Sequence, residues 1–125
     1  MTIKLNGLGL NKLLLALCLA GLHLYSHAFG AIAADSRWVQ NTIGHGMFTG
    51  ASNPAEASQE AMKACTEAGN SSCKIVLQFS QKCGAFAWSR EYEGVGTGPS
   101  LALAEQAALQ NCGNGICKII VSDCE

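Results

Sequence analysis

The chain has 125 residues, of which 49% are hydrophobic and 14% charged, and a formal net charge of −1. It lacks the basic excess and the Lys/Arg clusters that hold nucleic acid or an anionic membrane surface, so neither partner is expected. Seven cysteines against three histidines point to cross-linking more than to acid–base chemistry.

Lys4 and Lys12 precede an apolar run at residues 13–24, which ends in Tyr25, Ser26, His27 and Ala28. This is the three-part pattern of a secretory signal peptide, with the small residues Ser26 and Ala28 placed for a cut before Phe29. A run of about 12 apolar residues is short of the roughly 20 that span a bilayer. Residues 1–28 are therefore expected to be a leader, and 29–125 a mature domain without a transmembrane segment. Cys18 would be the modified residue of a lipoprotein, but Leu17 is too large for the position before it, so lipidation is not expected. Losing the leader removes Lys4 and Lys12 and leaves six basic against nine acidic residues, a net charge of −3. Periplasm and external medium are equally compatible destinations.

The mature part repeats itself. Gly30-Ala31-Ile32-Ala33 matches Gly84-Ala85-Phe86-Ala87, and Ser36-Arg37 and Ser89-Arg90 follow. Ala55, Ala57, Ala61, Met62 and Cys65 match Ala102, Ala104, Ala108, Leu109 and Cys112 at a constant offset of 47, and Cys73-Lys74-Ile75-Val76-Leu77 matches Cys117-Lys118-Ile119-Ile120-Val121. Three matches in one order indicate a duplicated unit, about 29–80 and about 83–124.

Each unit reads as strand, strand, helix, strand. The Gly-Ala segments open the units as strands, and the glycine-rich stretches at 44–46 and 94–98 are returning hairpin arms. Asn53, Pro54 and Glu56 form a helix start with a capping box, and Gly69-Asn70 is the stop after Ala68. Ala57, Ala61, Ala64, Cys65 and Ala68 make the apolar stripe of that helix. In the second unit Ser100 caps a helix with the stripe Leu101, Ala104, Ala108 and Cys112, ended by Gly113. Residues 74–79 and 118–121 are short β-branched runs, hence strands. The predicted fold is α+β: an antiparallel sheet with two helices packed on it, stapled by disulfides.

Six cysteines remain in the mature domain, an even number in an exported chain of modest core. Cys65 and Cys112 end the helices while Cys73 and Cys117 begin the next strands, so Cys65 with Cys73 and Cys112 with Cys117 would pin helix to strand. Cys83 with Cys124 would then join two strands of unit two. In the chain-entropy model the three bridges together contribute on the order of 8 kcal/mol.

The order Gly-Ala-Ile-Ala, a helix closed by Cys65, Cys73-Lys74-Ile75-Val76, Cys83-Gly84-Ala85-Phe86-Ala87 and a second alanine-rich helix resembles the bacterial secreted family catalogued as domain of unknown function 4189, over about 29–124. The resemblance implies export, duplication and cysteine pairing, and brings no activity or catalytic residues. Many relatives have tryptophan where this chain has Phe29.

Candidate chemistry is sparse. His45, between Gly44 and Gly46, is the one histidine of the mature part, and a Ser36, His45, Asp35 set lacks any nucleophile-elbow context. Cys112 and Cys117 alone approach zinc-ligand spacing, and an oxidising compartment favours the disulfide. Residues 94–98 resemble a phosphate loop in composition but lack its lysine. No catalytic residues, metal or cofactor are therefore expected. Arg37-Trp38 and Arg90-Glu91-Tyr92, read as turns after each unit's first strand, are the candidate protein-binding residues, because arginine and aromatic side chains dominate interface energetics. The expected function is a non-catalytic, exported protein-binding module, possible tasks being to neutralise a secreted effector or hydrolase or to act on another cell. A weak hydrolase using His45 and a structural envelope component are the alternatives.

Overall fold

The computed structural model describes residues 28–113 and 115–125. Cys18 and the leader up to His27 lie outside them. The elements run β1 (Phe29–Val39), β2 (Thr42–Ala51), α1 (Pro54–Glu67), β3 (Cys73–Ser80), β4 (Cys83–Trp88), β5 (Glu93–Gly98), α2 (Leu101–Cys112) and β6 (Lys118–Cys124). The strands divide into two antiparallel three-stranded sheets, ordered β2-β1-β3 and β5-β4-β6, one for each repeat.

Alternation along the central strands sets the layers. Ala31 and Ala33 pack with Ala57, Ala61 and Cys65 of α1, while Ala85 and Ala87 pack with Ala104, Ala108 and Cys112 of α2. Ile32, Ala34, Phe86 and Trp88, on the opposite faces, meet each other with Ile43 and Phe79 between the sheets. Since successive side chains of a strand point to opposite faces, small residues face the helices and large ones fill the sheet-to-sheet core. The order of layers is helix, sheet, sheet, helix. Ile32 and Phe86 are fully buried, each contributing about 1.5–3 kcal/mol.

The helices sit close because the strand below has no side chain in the way. A Cβ on Gly46 would lie 2.2 Å from the Cys65 nitrogen, and one on Gly94 would lie 2.3 Å from the Cys112 nitrogen. These are matching positions, paired with Ala33 and Ala87.

The repeat extends to fine detail. Both units carry a register shift at the same place, between Ile32 and Ala33 opposite Leu77 and Ile75, and between Phe86 and Ala87 opposite Val121 and Ile119. The skipped residues Val76 and Ile120 pack into the inter-sheet core. Gln81 N–H donates to Ala28 O and Glu125 N–H to Lys82 O, both at 3.2 Å.

Helix ends differ slightly from expectation. Asn53 Oδ1 accepts from Glu56 N–H at 2.8 Å, but the Glu56 carboxylate accepts from the backbone and hydroxyl of Ser52 instead of closing a box on the cap itself. These Ser52 hydrogen bonds, the hydroxyl first, hold the Glu56 pKa below its ordinary value. The buried stripe of α1 is Ala57, Ala61 and Cys65, whereas Ala68 is the exposed C-cap. On α2 Leu101, in the first turn, is exposed, and Ala104, Ala108 and Cys112 form the buried face. Three disulfides close the fold: Cys65–Cys73, Cys83–Cys124 and Cys112–Cys117.

Candidate functional site

The offset between repeats falls from 54 at the opening Gly-Ala to 47 at the helices, so repeat one carries seven extra residues in its hairpin. β1 pairs with β3 only as far as Asp35 opposite Cys73, while β1 and β2 continue through Trp38 opposite Ile43 and Val39 opposite Thr42. The ribbon ends in a two-residue turn at Gln40 and Asn41, with φ of 54° and 65°. Two positive φ values match the right-handed strand twist, which is why short hairpins use them. Arg37 and Trp38 are thus strand residues, not turn residues as the sequence suggested. Arg90 and Tyr92 do lie in a turn, closed by Ser89 N–H donating to Tyr92 O at 2.8 Å and Tyr92 N–H to Ser89 Oγ at 3.1 Å.

A buried carboxylate fixes the root of this ribbon. Asp35 Oδ1 accepts from Arg37 N–H at 2.8 Å, and that bond, with the backbone N–H groups of Ser72 and Ser71, outweighs burial and holds the Asp35 pKa below its ordinary value. Arg37 donates from its guanidinium to Ser71 Oγ, and Ser36 N–H to Ser72 O. Arg37 therefore braces the loop between α1 and β3.

Trp38 faces the other way, toward repeat two. The Arg90 guanidinium lies 5.0 Å from the Trp38 ring centroid, within cation–π range. Arg90 Nε donates to Asn41 Oδ1 at 2.7 Å, and the Trp38 and Trp88 rings stand 6.4 Å apart at 53°. The long hairpin of one repeat is clasped by the turn of the other. Trp38, Val39, Tyr92 and Ile116 are 46%, 67%, 49% and 70% exposed. Trp38 walls a groove of about 760 Å³ on its Asp35, His45 and Asn70 side and one of about 270 Å³ on its Arg90 and Tyr92 side. A third groove, also about 270 Å³, runs between Asn41, Arg90 and Ile116. Of the residues singled out from sequence, Trp38, Arg90 and Tyr92 are brought together around one groove, and Arg37 lines the larger groove on the other side of Trp38. Trp88, Asn41 and Ile116 join them without having been foreseen.

The enzymatic candidates do not converge. His45 Nδ1 contacts Ile43 O at 3.4 Å, while Ser36 and Asp35 make the loop contacts above, so no hydrogen bond links the three side chains. Among the described residues no three His, Cys, Asp or Glu side chains gather as a metal site. Cys112 and Cys117 are joined as a disulfide, and residues 94–98 are strand β5, its glycines pressed against α2. No helix among the described residues is long and apolar enough to cross a membrane.

The model of one protein family, described as Domain of unknown function, number 4189, matches residues 29–124. The chain belongs to that family. The match spans every element of this family member, including the long hairpin and the turn that clasps it. No curated protein and no solved structure matches the chain.

Proposed function

We propose that this domain is an exported, non-catalytic module that binds a protein partner through the rim formed by the repeat-one hairpin tip and the turn at residues 89–92. One observation carries the reading. Four of the seven large apolar side chains exposed among the described residues, Trp38, Val39, Tyr92 and Ile116, border neighbouring grooves, of which Arg37 lines the one at Val39 and Arg90 those at Tyr92 and Ile116. Aromatic and arginine side chains held in place by neighbours lose little freedom on binding, so they suit the centre of an interface. Export is supported by the leader-like residues 1–28 and by six cysteines, all in disulfides, which persist in oxidising compartments. In this reading the mature chain resides in the periplasm or the medium and occupies a secreted effector or hydrolase, or acts on another cell.

The test is capture from an envelope extract by immobilised wild-type domain beside a Trp38→Ala, Tyr92→Ala double variant. One protein retained by the wild type and lost with the variant is the expected result. Equal recovery by both, or recovery of nothing above background, would sink the proposal.

A further inference from the structure

One buried side-chain polar atom among the described residues lacks a hydrogen-bond partner. Glu125 Oε1 is shielded from solvent and accepts no hydrogen bond, whereas Oε2 accepts from Gly50 N–H at 2.8 Å. The carboxylate thus reaches from the end of repeat two across to β2 of repeat one. Oε1 lies against Gly30, 2.5 Å from where a Cβ would stand, so a side chain there would evict it. An unpaired buried carboxylate oxygen is costly and calls for an explanation.

The strand register shows what stands beside it. Gln81 N–H donates to Ala28 O, which makes Phe29 and Ser80 a pair that exchanges no hydrogen bonds with each other. In an antiparallel ladder such a residue turns its own N–H to the opposite neighbour. For Phe29 that neighbour is β2, where it pairs with Ala51, next to the Gly50 that holds Glu125. The Phe29 nitrogen is therefore directed to β2 at Ala51, one residue from the Gly50 N–H on which the carboxylate is anchored.

We propose that the Glu125 carboxylate is the receptor for the α-ammonium group of Phe29, which exists only after cleavage of the Ala28–Phe29 bond. An endopeptidase and one water supply that step: hydrolysis leaves a carboxylate on Ala28 and an amine on Phe29, which is protonated at neutral pH. The uncut chain carries a neutral amide there, which cannot offset the charge of Glu125. Removal of the leader then completes a charge-assisted contact between the first residue of repeat one and the residue just past repeat two. The inference rests on the export reading for the cut and on the geometry alone for the receptor.

The experiment compares the full 125-residue chain with a chain released in vitro so that it begins at Phe29, each as wild type and as Glu125→Gln, by thermal denaturation. Glu125→Gln should lower the Tm of the Phe29-initiated chain by about 5 °C, and leave the uncut chain unchanged or slightly raised, because it there removes an unpaired charge. Selective acetylation of the Phe29 amine should reproduce the loss in the wild type and abolish the difference between wild type and variant. Equal shifts in cut and uncut chains, or no effect of acetylation, would overturn the receptor. N-terminal sequencing of chain recovered from an exporting host reports separately on the cut: a first residue other than Phe29 refutes cleavage at Ala28 without touching the in vitro result.

Discussion

The two repeats share a scaffold and differ at its edges. They agree in strand order, in the skipped residue of the third strand, in the glycine beneath the helix cysteine and in the disulfide from helix end to next strand. They even agree in a surface contact made with exchanged chemistry: Gln78 donates to Ser58 in repeat one, where Ser122 donates to Glu105 in repeat two. Repeat one alone has the long hairpin. Repeat two alone has a bridge between its first and third strands, Cys83–Cys124, where repeat one sets Phe29 beside Ser80. Positions that must pack have stayed equivalent, and the rim, which need not, is where one copy has acquired a protruding aromatic ribbon.

The largest effect should come from the shared helix floor. Gly46→Val and Gly94→Val each drive a side chain into helix backbone, and each should cost more than about 4 kcal/mol in chemical denaturation. A large loss in one repeat with tolerance in the other would break their equivalence. Next come the bridges, where the copies differ. Replacing Cys83 and Cys124 by serine opens the longest loop, a separation of 41 residues against 8 and 5, and should cost about 4 kcal/mol in the chain-entropy model, against about 2 for Cys112 and Cys117.

The helix starts allow a finer comparison. Asn53→Ala and Ser100→Ala should each cost about 1 kcal/mol, with the larger loss at Asn53, where Glu56 adds bonds to Ser52. Acid should distinguish the repeats further. Asp35 and Glu56 both lie in repeat one with folded pKa values below their ordinary ones. The stability they contribute is complete above the unfolded carboxylate pKa of about 4 and is lost as pH falls through the lower folded values. Amide hydrogen exchange near Ser52 and Ser71 should therefore accelerate below about pH 4 before that of α2, and Glu56→Gln should remove the acid dependence at Ser52. The smallest effect belongs to the rim, where Trp38→Ala and Arg90→Ala should show a coupling of about 0.5–1 kcal/mol in a double-mutant cycle.

Much of this architecture is legible in the residues. Pro54 after Asn53, Gly69, Ser100 and Gly113 bound the helices because each has a conformational or hydrogen-bonding reason to sit there. The separation into two sheets is harder to see, because it depends on which face of Gly-Ala-Ile-Ala meets a helix and which meets the other repeat. The length of the first hairpin was also hidden. Its turn uses Gln40 at a positive φ, a residue without the usual signal, so Arg37 and Trp38 read as turn residues when they are strand. The clasp of Arg90 on Trp38 and Asn41 joins residues about fifty positions apart and leaves no local trace.

Every sulfur bridge lies inside a single repeat, so among the described residues the only covalent link between the halves is the main chain at Gln81 and Lys82. A nick there would yield two internally cross-linked fragments held together by packed side chains and hydrogen bonds alone. Built this way, the molecule amounts to a dimer written as one polypeptide, and two copies could exchange halves without breaking a single disulfide.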